Sequence, residues 1–229
     1  MQPPLILASN SPRRRQLLTL SGWPFEVFTV EIDERQLAGE GPEAYVARLA
    51  EAKARLAAQK RNAPGLYIGA DTTVFLDGEI LGKPQDEAEA HRMLRQLRGR
   101  VHQVYSGVTV LSSLEGTPQT AICITDVPMR NYSDEEIEAY VQSGDPLDKA
   151  GAYAIQHPNF RPVAHMEGCF ASVMGLPLCH LATMLHRFGL PAVTDVPANC
   201  QRFLSYNCPV YSQYYHRESE SKRIICEDT

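Results

Sequence analysis

Nowhere does this 229-residue chain approach the roughly 20 consecutive apolar residues of a membrane-spanning helix, so no membrane partner is expected. Met1-Gln2-Pro3-Pro4 carries no basic region ahead of an apolar run, so a signal peptide is not expected and the chain reads as cytoplasmic. An excess of positive charge is missing too. The net charge is −5 and the pI is near 5.8, which argues against a surface built to coat nucleic acid. There is no GxxxxGK[ST] loop, which disfavours a motor or GTPase-type nucleotide site. The six cysteines (123, 169, 179, 200, 208 and 226) show no CxxC spacing, so a zinc or cluster site is not expected. Cys123, Cys169 and Cys179 sit among apolar neighbours and read as small buried hydrophobes. His91 and His102 have no partner at metal-ligand spacing, and no internal repeat or low-complexity block is present.

What remains is an ordinary globular composition, 44% hydrophobic and 21% charged, in a chain able to bury one good core. Strands and helices alternate, which predicts an α/β domain with a parallel or mixed sheet. Leu5 to Ala8 reads as a buried strand, and the next segment, Ser9-Asn10-Ser11-Pro12-Arg13-Arg14-Arg15, as its turn into a helix. Ser11 suits the N-cap and Pro12 the first helical position. Three arginines then fall where the helix dipole is already positive, a violation that an anion would resolve. Serine hydroxyls, free N–H groups and guanidinium forks converge there, and phosphate suits all of them.

Phe25 to Val30 reads as a second strand running into the acidic Glu31-Ile32-Asp33-Glu34. The helix expected from Pro42 to Lys60 carries an apolar stripe of Val46, Leu49, Ala50, Leu56 and Ala57, with Lys53 in its middle. Such a lysine either meets an anion or snorkels to an edge. Asp77-Gly78 predicts a two-residue hairpin with Leu76 facing Glu79. Its ladder, continued, places Thr72 opposite Lys83 and Asp71 beside that lysine. A helix over Asp86 to Leu97, strands over Val101 to Leu111 and Thr120 to Arg130, and a capping box at Ser133 follow. Arg161 to Met166 reads as a further strand, and Pro177 as the start of the last amphipathic helix, ended near Gly189. Residues 1–190 form the expected domain. Residues 191–229 form a proline-punctuated C-terminal extension, with aromatics able to dock on the main body and a solvated or disordered end.

Cations gathered with two carboxylates point to polyphosphate and a divalent metal, because carboxylate and phosphate oxygens are the ligands that Mg²⁺ and Mn²⁺ prefer. From the residues alone, the chemistry is that of a metal-assisted phosphoanhydride hydrolase or a polyphosphate binder.

The blocks Leu5 to Leu18, Ile32-Asp33-Glu34, Glu51-Ala52-Lys53-Ala54, Gly69-Ala70-Asp71-Thr72, Gly82-Lys83-Pro84, Pro146 to Tyr153 and Val173-Met174-Gly175-Leu176-Pro177 stand in the order of the Maf family. The chain resembles that family over about residues 5–190. The resemblance implies a nucleoside triphosphate pyrophosphatase that cleaves between the α- and β-phosphates. It also implies a fold similar to the inosine triphosphate pyrophosphatases: an elongated mixed sheet with flanking helices, an active-site cleft between two lobes, and a homodimer. Carried over by position, Ser9, Arg13 and Arg14 match the phosphate loop. Glu34 and Asp71 match the acidic residues for metal (Mg²⁺, Mn²⁺ or Co²⁺) and water activation, with Asp71 as proton acceptor. Lys53 and Lys83 match the family's catalytic-site lysines. Arg13, Thr72 and Gln156 resemble the branch acting on dTTP and UTP; the 7-methyl-GTP branch and a non-enzymatic nucleotide-binding regulator of cell division are the alternatives. Arg15 has no motif-based role. After Gln156, the segment His157-Pro158-Asn159-Phe160-Arg161-Pro162 departs from the family's glycine-rich continuation, next to the expected base pocket.

Overall fold

Two long antiparallel strands carry the molecule. In the computed structural model, which describes residues 3–215, β3 (Leu66–Leu76) pairs with β5 (Val101–Ser112) along nearly its whole length. The edge strand β6 (Pro118–Pro128) continues the sheet antiparallel to β5. On the other side of β3 lie the short parallel strands β1 (Leu5–Leu7) and β2 (Phe25–Val27), giving the order β2-β1-β3-β5-β6. The fold is mixed α/β, as expected, and no described helix is long and apolar enough to cross a membrane.

The outer edge of β3 is shared by two strands that do not meet. Residues 66–68 pair with β1, and residues 74–76 pair with β4 (Glu79–Leu81). Between them the stretch from Gly69 to Thr73 faces neither strand, and a cleft opens there. The Asp77-Gly78 hairpin forms in the expected register, Leu76 opposite Glu79, with positive φ at both turn residues (52° and 87°) as a type I′ turn requires. Its ladder ends at Val74–Leu81, however, and residues 82–83 leave the sheet ahead of Pro84. Lys83 therefore has no ladder partner on β3, and Thr72 is paired only on the other edge, with Ser106 of β5.

Helices cover both faces. The longest, α2 (Pro42–Arg61), lies directly on β3 and β5 because two glycines admit it. A Cβ on Gly69 would sit 1.9 Å from the Ala50 carbonyl oxygen, and one on Gly107 would sit 2.7 Å from that of Val46. On its buried side α2 presents Val46, Leu49, Ala50, Lys53, Ala54 and Ala57; Leu56 is only half-buried. The opposite face of the sheet packs on α1 (Pro12–Thr19), α3 (Glu87–Leu97), α4 (Asp134–Gln142), α5 (Phe170–Val173) and α6 (Leu178–Arg187) in one large core.

Two expectations need correction. Arg161 to Met166 is not a strand: it makes one isolated bridge, Met129–Val163. The Arg130 guanidinium holds the carbonyls of Phe160 (2.6 Å) and Arg161 (3.0 Å), and Arg161 has a positive φ of 43°, which breaks an extended run. Nor is α6 the last helix. Asp195 caps α7 (Val196–Leu204), Pro197 occupies its first turn, and the short α8 (Tyr211–Tyr214) follows. This part is docked: Val196 is fully buried in the large core, and Trp23 Nε1 donates to the Pro191 carbonyl at 2.9 Å. The expected disordered end beyond residue 215 lies outside the described residues.

Candidate active site

The gap beside β3 holds a cleft of about 540 Å³, within the range of small-molecule sites. All nine residues expected to form a site line it: Ser9, Arg13, Arg14, Glu34, Lys53, Asp71, Thr72, Lys83 and Gln156. Six cations (Arg13, Arg14, Arg15, Lys53, Lys83 and Lys149) stand against three carboxylates (Glu34, Asp71 and Asp148) in the lining. A chain of net charge −5 thus keeps a local excess of positive charge in its cleft, the setting a polyanion selects. Arg15, for which the sequence offered no role, also lies at this wall.

Lys53 does meet anions. It is buried, with 8% of its surface exposed, and its ammonium stands 2.6 Å from Asp71 Oδ1 and 2.6 Å from Glu34 Oε1. The placement follows from local structure. Side chains alternate along a strand, so Asp71 shares the α2-facing side of β3 with Gly69, and Gly69 lets α2 approach closely enough for Lys53 to reach it. Glu34 comes from the loop after β2. Tyr45 OH donates to its carbonyl at 2.8 Å, and Arg48, paired with Glu40 at 2.5 and 2.7 Å, donates to the Arg35 carbonyl at 3.1 Å. Burial alone would raise the Glu34 pKa. The hydrogen bond and charge of Lys53, with the charges of Lys83 and Arg14, outweigh it and leave the pKa below the ordinary value. The partner expected for Asp71 was Lys83, but Lys83 is 3.8 Å from Glu34 Oε2 instead, because the hairpin ladder ends before it.

From the other side of β3 comes Arg14. Its Nε donates to the Gly175 carbonyl at 2.9 Å, and its terminal nitrogens reach Ser9 Oγ at 3.3 Å and Thr72 Oγ1 at 3.4 Å. Ser11 caps α1 as expected by accepting from the Arg14 backbone N–H at 3.4 Å. Burial pulls the Arg14 pKa down, and the nearby charge of Asp71 opposes it. Arg13 points elsewhere, lying 3.6 Å from Asp148. Asp148 in turn accepts from the buried Lys149 at 2.6 Å, and Asp145 does so at 2.9 Å.

Tyr45, Lys149 and Gly175 were missed at the sequence level. Lys149 sat in plain view inside a charged loop, and Tyr45 on the same helix as Lys53. Gly175 stood inside one of the family blocks, but its contribution is a backbone carbonyl, which no side-chain pattern marks. Gln156 is exposed at the mouth of the cleft, near Ile155 and Ala154. The departure that follows it does not line the cleft. His157 Nδ1 accepts from the Phe160 N–H at 2.9 Å, and Phe160 stacks on Tyr140 at 4.3 Å, which folds residues 157–160 against α4.

Glu34 and Asp71 carry hard oxygen donors of the kind that would suit a divalent cation. Among the described residues no group of three or more His, Cys, Asp or Glu is placed to hold a metal. The protein would therefore contribute two carboxylates and leave the other positions to phosphate and water, which suits Mg²⁺-type ions.

The Maf family model, described as "Maf-like protein", matches residues 4–188. A dTTP/UTP pyrophosphatase of Geotalea uraniireducens is 47% identical over 81% of this chain and 95% of its own length. One of Myxococcus xanthus is 48% identical over 82% of this chain and 93% of its own. A nucleoside triphosphate pyrophosphatase of a Synechococcus species is 43% identical, covering 85% and 98% respectively.

Proposed function

The chain belongs to the Maf family, and from that premise we propose that it hydrolyses nucleoside triphosphates between the α- and β-phosphates, with dTTP and UTP as its substrates. The reaction gives the nucleoside monophosphate and pyrophosphate. One observation carries the reading: the Glu34–Lys53–Asp71 cluster and the Ser9–Arg14–Thr72 cluster share one cleft. The first group suits water activation, and the second suits an anion.

Asp71 Oδ1 is occupied by Lys53, and Oδ2 has no hydrogen-bond partner among the described residues. It is the atom we assign to take the proton from the attacking water. Lys53 keeps Asp71 and Glu34 fixed for that task. Arg13, Arg14 and Lys83 hold phosphate oxygens and stabilise the charge that builds on the leaving pyrophosphate. A divalent cation held by Glu34 and Asp71 would supply charge neutralisation at the phosphates and a more acidic water. Gln156 reads the base, since one amide both donates to a pyrimidine carbonyl and accepts from its N3–H.

Pyrophosphate release from dTTP, UTP, the other common triphosphates and 7-methyl-GTP, each with Mg²⁺, Mn²⁺ or Co²⁺, tests the reading. The expected result is release that needs metal and is fastest with dTTP and UTP. No release from any triphosphate would overturn the enzyme assignment, and a preference for 7-methyl-GTP would overturn the base assignment.

A further inference from the structure

The turn that carries Gln156 to the mouth of the cleft is fastened from behind by Tyr140 of α4, which does not line the cleft. The Tyr140 hydroxyl donates to Asp145 Oδ2 at 2.7 Å and accepts from the Ala154 backbone N–H at 3.0 Å. Its ring is flanked by Phe160, stacked at 4.3 Å, and by the tilted ring of His157 at 4.8 Å. The His157 N–H donates to the Ala154 carbonyl at 3.1 Å, so residues 154–157 close on themselves. One side chain therefore grips this turn at both ends. The exposed Gln156 side chain makes no hydrogen bond of its own among the described residues, so its place is set by the turn beneath it.

Asp145, which holds the Tyr140 hydroxyl, is itself held. Its Oδ1 accepts from Lys149 Nζ at 2.9 Å, and the same ammonium donates to the Asp145 carbonyl and to Asp148 Oδ1 at 2.6 Å. Those three acceptors match the three N–H groups of a lysine that is only 7% exposed. Lys149 thus lines the cleft as a brace for Asp145, its hydrogens already taken. The same segment is fixed to the phosphate side. Asp148 Oδ2 lies 3.6 Å from Arg13, and the Gly151 N–H donates at 3.0 Å to the carbonyl of Gly82, next to Lys83. Gly151 is seated so closely on β3 that a Cβ there would sit 2.8 Å from Val74 Cγ2.

We propose that Tyr140 is a positioning residue for base recognition, acting through Gln156, with Asp145 and Lys149 fixing its hydroxyl. The proposal rests on the nucleotide reading of the cleft and on Gln156 as the base reader, not on turnover. An exposed glutamine on a loose turn loses backbone as well as side-chain freedom when it binds a base. On a fixed turn only the side chain has to be ordered, and its amide arrives at a set distance from the phosphate-side residues. Removing the Tyr140 hydroxyl leaves the Ala154 N–H and Asp145 Oδ2 without their shared partner and frees the turn. The ring contacts with His157 and Phe160 stay, so the loss falls on Gln156 and not on the fold of α4. A ligand without a base never meets Gln156 and should not register the change.

Calorimetric titration of the full-length protein with Mn²⁺ uses three probes: α,β-methylene dTTP, α,β-methylene dCTP and inorganic tripolyphosphate. Tyr140→Phe should weaken methylene-dTTP about tenfold, narrow its preference over methylene-dCTP, and leave tripolyphosphate within about twofold of wild type. In a Gln156→Ala background the same substitution should cost less than about twofold, because the two residues act as one unit. Asp145→Asn leaves one acceptor oxygen for the two donors and should give the same pattern, so it serves if Tyr140→Phe fails to fold. An equal loss for tripolyphosphate would make Tyr140 a general support of the fold and overturn the proposal, as would additive losses in the double variant. Gln156→Ala without effect on either nucleotide analogue would overturn the base assignment, and the proposal with it. If binding responds as expected and no triphosphate is ever cleaved, the enzyme reading fails and the role of Tyr140 stands.

Discussion

Two cations approach β3 from opposite faces, and they are held by opposite kinds of partner. Lys53, from α2, is clamped by two carboxylates at 2.6 Å each. Arg14, from α1, is clamped by a carbonyl and two hydroxyls, all neutral. The first charge is answered inside the protein, so Lys53 can organise Glu34 and Asp71 but has little attraction left for a ligand. The second is steadied by dipoles and, among the described residues, answered by no hydrogen-bonded carboxylate, which leaves it for an incoming anion. On the proposed reading, one strand separates a side that would prepare the water from a side that would bind phosphate.

Breaking the Lys53 side at its acid should have the largest effect. Asp71→Asn keeps the shape and removes the proton acceptor, so kcat should fall about 1000-fold in steady-state pyrophosphate release. Lys53→Met comes next. It leaves the buried Asp71 without its counter-ion at a cost of about 3 kcal/mol, with the more exposed Glu34 adding little. Thermal unfolding without metal should drop by about 10 °C, and Mn²⁺ should restore more of it than in the wild type. Arg14→Lys keeps the charge and loses the fork, so KM should rise about tenfold with kcat changed less. Tyr45→Phe frees the Glu34 loop from α2 and should lower kcat/KM only about threefold, with thermal stability nearly unchanged.

The smallest effect is the acid limb of the stability curve. The folded pKa of Glu34 lies below its ordinary value of 4.5, so its pairing stabilises the fold above that pH. The contribution is lost as the pH falls through the lower, folded value. Glu34→Gln should therefore flatten the loss of stability below about pH 4.5, as read by urea unfolding across pH 3 to 6.

Much of this arrangement was legible before any coordinates, because it broke local rules. A lysine within an apolar stripe had either to meet an anion or to snorkel, and arginines at a positive helix end called for an anion; both were found facing the cleft. The Asp77-Gly78 turn was equally legible, since its two positive φ angles admit few other residues. Extrapolating its ladder misled: strand pairing stops at Leu81, so Asp71 meets Lys53 from another element and not Lys83. The close seating of α2 depends on Gly69 and Gly107 lying side by side on one sheet face, which no local spacing reveals. The hold of Gly175 on Arg14 is a backbone contact across 161 residues of sequence, and α7 was hidden because its stability comes from burying Val196 in a distant core.

The division of labour across β3 is tested most directly by calorimetric titration of a non-hydrolysable dTTP analogue, at saturating Mn²⁺, into wild type, Asp71→Asn and Arg14→Lys. Asp71→Asn should bind within about threefold of wild type while Arg14→Lys binds about tenfold more weakly. Equal losses in the two variants, or a greater loss in Asp71→Asn, would contradict the account and make Asp71 a holder of the nucleotide, not the acceptor of the attacking water's proton.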